Sequence, residues 1–177
     1  MVIQKEEASD LEVSFWLDNY NDLFSDFDHR SYVHRAISDD FLIEARKFTG
    51  NKNGDRLELQ FLIPKAKRNK NQEPIIKKRL QEHFKRHYHL LLHEHYQMRK
   101  RGLTMAGSGL ILLAGATVIA IFHQSVILEV VMVLLQPAGW FLTWMGLESF
   151  FFRSHEKGVE LGFYEKMNKG KITFHGY

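Results

Sequence analysis

Residues 103–122, LTMAGSGLILLAGATVIAIF, run for twenty positions without a charge. At about 1.5 Å per helical residue they reach about 30 Å, the depth of a bilayer's hydrocarbon core. After the link His123-Gln124-Ser125, a second apolar run covers residues 126–152, interrupted by Glu129, Gln136, Thr143, Glu148 and Ser149. A buried helical hairpin in a soluble core is the competing reading. It is disfavoured because uncharged runs of 18 or more rarely belong to small soluble domains. The fold class that follows is a membrane α-helical hairpin of two transmembrane helices. A small cytoplasmic α/β domain, formed by both chain ends, accompanies it.

Charge placement orients the hairpin. Arg99, Lys100 and Arg101 precede the first run, Arg153 and Lys157 follow the second, and the link holds no Lys or Arg. The positive-inside rule then places both termini in the cytoplasm and the protein in an inner or plasma membrane. The opening MVIQKEEASDLEVSFWLDNY has no apolar core of the signal-peptide kind, so the first hundred residues are expected to stay where they are made. With no cysteine in the chain, disulfide frameworks and thiolate metal sites are excluded. The net charge of +3 conceals an asymmetry. Residues 1–60 carry thirteen acidic and seven basic side chains, whereas residues 61–102 carry twelve basic and three acidic. The basic stretch is expected near the membrane surface.

Working outward, residues 1–10 are polar and expected to fray. Trp16, Tyr20, Leu23, Phe24 and Phe27 recur at helical spacing, which predicts a helix over 11–24. Ser38, Asp39 and Asp40 before FLIEARKF suit a helix N-terminus. Asn51-Lys52-Asn53-Gly54 reads as a turn, and RLELQFLIP alternates between Gly54 and Pro64, predicting a strand over 56–63. Pro74 opens a basic helix whose apolar stripe is Ile76, Leu80, Phe84, His87, Leu91 and Met98, with nothing to break it before Gly102. EKGVELGFYEKMN reads as a helix and KITFHGY as a strand that would pair with RLELQFLIP. The organisation is therefore a cytoplasmic α/β region over 1–73, a basic amphipathic juxtamembrane helix over 74–102, and spans over 103–122 and 126–152. Residues 153–177 form a cytoplasmic helix and strand packing on the N-terminal region.

LFSDFD, SDDFLIEA, the LQFLIP strand, the basic helix and the two-span hairpin together resemble a family of small prokaryotic membrane proteins with two transmembrane helices. The resemblance covers most of the chain. It implies this architecture and carries over no activity, cofactor or site residue.

Five histidines, His83, His87, His89, His93 and His95, stand within thirteen positions. Each i,i+4 pair, His83/His87 or His89/His93, supplies two ligands of the kind zinc takes. One helix cannot close a tetrahedral site, since bonds to zinc are only about 2.1 Å long. A neighbouring helix or a second subunit would have to complete it. HEHYQ is not the HExxH of metalloproteases, because Gln97 stands where the second His belongs. The other readings are a protonation switch near pH 6 and plain amphipathic residues at the headgroup level.

Lys77, Lys78, Arg79, Lys85 and Arg86, continued by Arg99, Lys100 and Arg101, form the basic surface. Anionic lipid headgroups are its expected partner. A nucleotide or nucleic acid is the less supported one, since Phe84, Tyr88 and Tyr96 are interleaved but no Gly-rich phosphate loop exists. In the first span Gly102, Ala106, Gly109, Leu113, Ala116 and Ala120 form a seam of mostly small residues, spaced for close helix packing. Thr104, Ser108, Ile111 and Gly115 make a second row. In the second span Glu129, Gln136 and Thr143 share a polar stripe with Met132, Gly139 and Gly146, and Pro137 is expected to kink the helix. The stripe either lines a pore between chains or glues a dry interface.

No nucleophile elbow, phosphate loop or metal-hydrolase motif is present. Asp26, Asp28 and His29 in SDFDHR are explained by an Asp-rich turn, so an enzyme is not expected. The function expected is a homo-oligomeric membrane anchor or scaffold for a cytoplasmic protein partner or assembly. The alternative is an oligomeric ion channel or membrane effector gated by its cytoplasmic domain.

Overall fold

The computed structural model describes residues 2–7, 10–49, 56–122 and 125–177. The turn at 51–54 and His123 and Gln124 of the link lie outside the described residues. The chain divides into two compact units, residues 1–90 with 160–177, and residues 91–159. It is mostly helical, with two long apolar helices and a small sheet drawn from both ends.

The first unit is built on four strands: β1 (Val2–Glu7), β2 (Asp10–Trp16), β3 (Arg56–Ile63) and β4 (Lys171–Gly176), in the order β1-β2-β3-β4. β1 pairs antiparallel with β2, while β2–β3 and β3–β4 are parallel. The register aligns Val13 with Leu59 and Leu59 with Ile172, then Phe15 with Phe61 and Phe61 with Phe174. Because side chains alternate across a strand, these residues face one way and form the core. Glu12, Ser14, Glu58, Gln60 and Thr173 face the other way. There Gln60 donates to Glu12, and Thr173 and Lys171 both reach the Glu58 carboxylate. The strand expected over 56–63 stands, and β4 is its neighbour.

Two expectations fail. Residues 11–24 do not form a helix: the chain is strand β2 to Trp16 and then a single 3₁₀ turn, Tyr20–Leu23. Leu11, Val13, Phe15 and Leu17 also recur at period two, and pairing with β3 favours that period over the helical one. Nor do residues 2–7 fray, since β1 pairs with β2 along its whole length.

Helix α1 (Asp39–Thr49) begins where the acidic pair predicts, with Arg46 and Lys47 in its last turn. It lays Phe41 against the sheet, the ring 5.3 Å from Phe15 and 5.8 Å from Phe61. Helix α2 (Glu73–Phe122) is continuous, as its unbroken stripe predicts. Its first turns bury Ile76, Leu80 and Phe84 completely. From helix α4 (Ser154–Lys169) the unit takes Phe163, Tyr164 and Met167 as core residues. Arg46 joins α1 to α4, pairing with Glu160 at 3.4 Å and lying over the Phe163 ring. Asp28 accepts from the Ala36 amide and pairs with Arg30. The Arg30 guanidinium holds its carboxyl well below the usual range. SDFDHR is thus a hydrogen-bonded turn.

The second unit pairs the later part of α2 with α3 (Val126–Glu148). Both helices are long and apolar enough to cross a membrane. They run antiparallel in close contact. A Cβ on Gly146 would lie 2.6 Å from the Gly102 carbonyl, and one on Gly109 2.6 Å from the Gly139 carbonyl. Only glycine lets the backbones approach this far. Beyond α3 the chain continues without a break through a π turn, Ser149–Arg153, into α4.

Candidate functional site

The π turn determines which side chains meet. Gly146, Phe150, Ser154 and Gly158 are spaced by four throughout, and at 3.6 residues per turn such a row drifts off one face. A π turn, bonded i to i+5, winds more slowly and absorbs the drift. The row therefore stays against α2 below the glycine contacts. Ser154, 6% exposed, sets its Oγ 2.9 Å from Nε2 of His95. Gly158 approaches the same imidazole, and Arg99, one turn further along α2, lays its guanidinium 4.9 Å from the Phe150 ring centroid.

These groups border an open pocket of about 520 Å³ lined by His95, Arg99, Phe150, Ser154 and His155 among others. Among the described residues no carboxylate lines it. Two nearby acids are engaged elsewhere: Glu148 with Arg153 at 3.3 Å and Glu94 with Lys157 at 3.4 Å. Arg99 has no carboxylate partner among the described residues. Next to it is an apolar groove of about 230 Å³, lined by Trp144, Leu147, Glu148, Phe151 and Phe152. Phe151 is a wall of both. Chemically this is a cationic, donor-rich cup beside a greasy slot. A hydroxyl next to an imidazole is also a nucleophile's arrangement, but no carboxylate orients His95 among the described residues.

The histidine cluster disperses. The His83 and His87 rings lie with centroids 4.1 Å apart, tilted by 32°, and His87 stacks in turn on Tyr164 at 5.2 Å. Nδ1 of His87 lies 2.9 Å from the His83 carbonyl. Nε2 of His83 is buried without a hydrogen-bond partner among the described residues. Burial first, and then His87, Arg79 and Arg86, lower its pKa to about 4. A switch near pH 6 therefore does not reside in His83. His89 and His93 are exposed, and His93 is bonded to Gln97. Among the described residues no group of three His, Cys, Asp or Glu side chains is placed to hold a metal.

The basic residues stay largely in solvent. Lys78, Lys85, Arg86, Arg99, Lys100 and Arg101 are exposed, and Lys77 and Arg79 half-buried. Arg79 donates to the Arg35 carbonyl. Lys100 and Arg101 border a further pocket of about 440 Å³ with His93, Tyr96 and Thr104.

Of the small-residue seam, Gly102, Ala106, Gly109 and Ala116 are buried, while Ala120 is exposed. The second row, Thr104, Ser108, Ile111 and Gly115, is uncovered. The polar stripe divides. Thr143 is buried between the helices and donates to the Gly139 carbonyl at 2.8 Å. Glu129 and Gln136 are exposed. Pro137, inside α3, offers no N–H to the Val133 carbonyl one turn back.

The sequence singled out His95 as one of a cluster and did not single out Ser154. The signal that connects them is the four-four-four spacing from Gly146 to Gly158. No family model, no curated protein and no solved structure matches this chain.

Proposed function

We propose that this chain is an integral protein of the inner or plasma membrane, with both termini cytoplasmic. It assembles with copies of itself and serves as an anchor or scaffold for a cytoplasmic assembly. The supporting observation is the uncovered position of Gln136. It lies ten residues into α3, about 15 Å along the axis and so near mid-bilayer. A carboxamide there, next to a carbonyl that Pro137 leaves without its donor, is costly in hydrocarbon unless protein meets it. A second copy brings an amide that both donates and accepts, together with its own uncovered small-residue row. The basic stretch Lys77–Arg86 and Arg99–Arg101 draws the cytoplasmic portion to anionic lipid.

The exposure of Glu129 beside Gln136 favours a second reading, an ion channel lined by these two side chains. Thr143, being sealed between α2 and α3, is no part of such a lining. Gln136→Leu separates the two. A scaffold loses or changes its oligomer without any conductance to lose, whereas a channel reconstituted in bilayers loses current or changes ion selectivity.

A further inference from the structure

The pocket and the groove that share Phe151 differ in chemistry and adjoin, which is the pattern of an amphiphile. We propose that they form one binding site for a phospholipid with an anionic phosphodiester headgroup. The phosphate sits among Arg99, His95, His155 and Ser154, and an acyl chain lies along Trp144, Leu147 and Phe152. The inference rests on the membrane reading above and names a particular lipid contact within it.

Charge selects the headgroup. Of the described acids near the pocket, Glu148 is paired with Arg153 and Glu94 with Lys157. Arg99 therefore contributes a positive charge with no carboxylate partner among the described residues, and imidazole and hydroxyl groups stand around it. One positive charge matches the single negative charge of a phosphodiester. Arg99 is also held in place, its guanidinium stacked on Phe150, so little of its freedom remains to be lost on binding. A phosphate takes such a planar fork bidentately.

The groove selects a lipid over a free phosphate. Trp144, Phe151 and Phe152 are 70%, 61% and 72% exposed; Trp144 stands in the last turns of α3, a helix apolar enough to span a bilayer, and the two phenylalanines follow just after it. Aromatic side chains at that depth sit at the headgroup level, with hydrocarbon on one side and donors on the other. The π turn sets the geometry. Phe150 turns toward Arg99 while Phe151, the next residue, forms the wall between cup and slot. A soluble phosphate would use the cup alone and leave the slot empty.

The test uses the full-length protein with vesicles of phosphatidylcholine alone and vesicles containing phosphatidylglycerol. Flotation is read first, then the lipid retained on the protein by native mass spectrometry. The expected result is flotation on both vesicles and preferential retention of phosphatidylglycerol. Arg99→Gln should reduce that preference about fivefold, the equivalent of roughly 1 kcal/mol per basic residue at the surface. Lys47→Gln, which removes an exposed charge of α1 outside the basic surface, should leave it unchanged. Phe151→Ala should weaken retention of the lipid, and glycerol 3-phosphate should not compete with it. Flotation without a preference for phosphatidylglycerol, or a preference that Arg99→Gln leaves intact, overturns the site while the membrane reading stands. Equal occupancy by glycerol 3-phosphate also overturns it, in favour of a free anion. Failure to float on either vesicle overturns the membrane reading and the site together.

Discussion

Ser154 and His95, 59 residues apart in the chain, are joined side chain to side chain at 2.9 Å. The bond ties the first turn of α4 to α2 at the level where the apolar helices give way to charged ones. Because the Ser154 hydroxyl is buried and bonded to His95, losing either side chain removes the other's partner in this bond. A double-mutant cycle with Ser154→Ala and His95→Ala should give a coupling of about 0.5–1.5 kcal/mol in thermal or denaturant unfolding in detergent. Additive single effects would show that the bond contributes nothing.

Gly146 governs the approach of α3 to α2. Any side chain there meets the backbone of Gly102 and Ala106, which cannot move aside without separating the helices. Gly146→Leu should destabilise the helical pair by about 1–3 kcal/mol, the usual cost of overpacking a tight contact. Gly107, which has nothing within 4 Å of an added Cβ, is the matched control. Gly107→Leu should leave the unfolding midpoint nearly unchanged.

His83 makes the sheet-bearing unit sensitive to acid. Its folded pKa of about 4 lies below the ordinary 6.5. Between these values the unfolded chain binds a proton that the folded one refuses. Stability is therefore undiminished above pH 6.5, falls as the pH drops toward 4, and falls no further on this account below that. Hydrogen exchange of the β3 amides, corrected for intrinsic rates, should report this slope, and His83→Gln should flatten it. An unchanged slope in the variant would assign the acid sensitivity to other groups.

How far the fold can be read from sequence depends on how local each signal is. β3 is legible because RLELQFLI alternates between a glycine and a proline. α1 is legible from Asp39 and Asp40, and the continuity of α2 from its unbroken stripe. β2 is not, because DLEVSFWLDNY supports two periods at once and only its pairing with β3 decides between them. β1 has no apolar signature, being an edge strand that a neighbour's backbone completes. The candidate site is half legible. Arg99 and His95 stand out by type, but Ser154 joins them only through a π turn, a slower winding that single-residue propensities do not encode. The seam from Gly102 to Ala116 is readable at the level of spacing. The division of the polar stripe, with Thr143 inside and Gln136 outside, depends on the rotation of α3 against α2.

The mass of the complex extracted into lipid nanodiscs tests self-assembly most directly. A mass of two or more 20.8 kDa chains, reduced or altered in Gln136→Leu, is the predicted result. A single 20.8 kDa chain in the wild-type nanodisc would contradict it and leave Gln136 without the second copy on which the proposal depends.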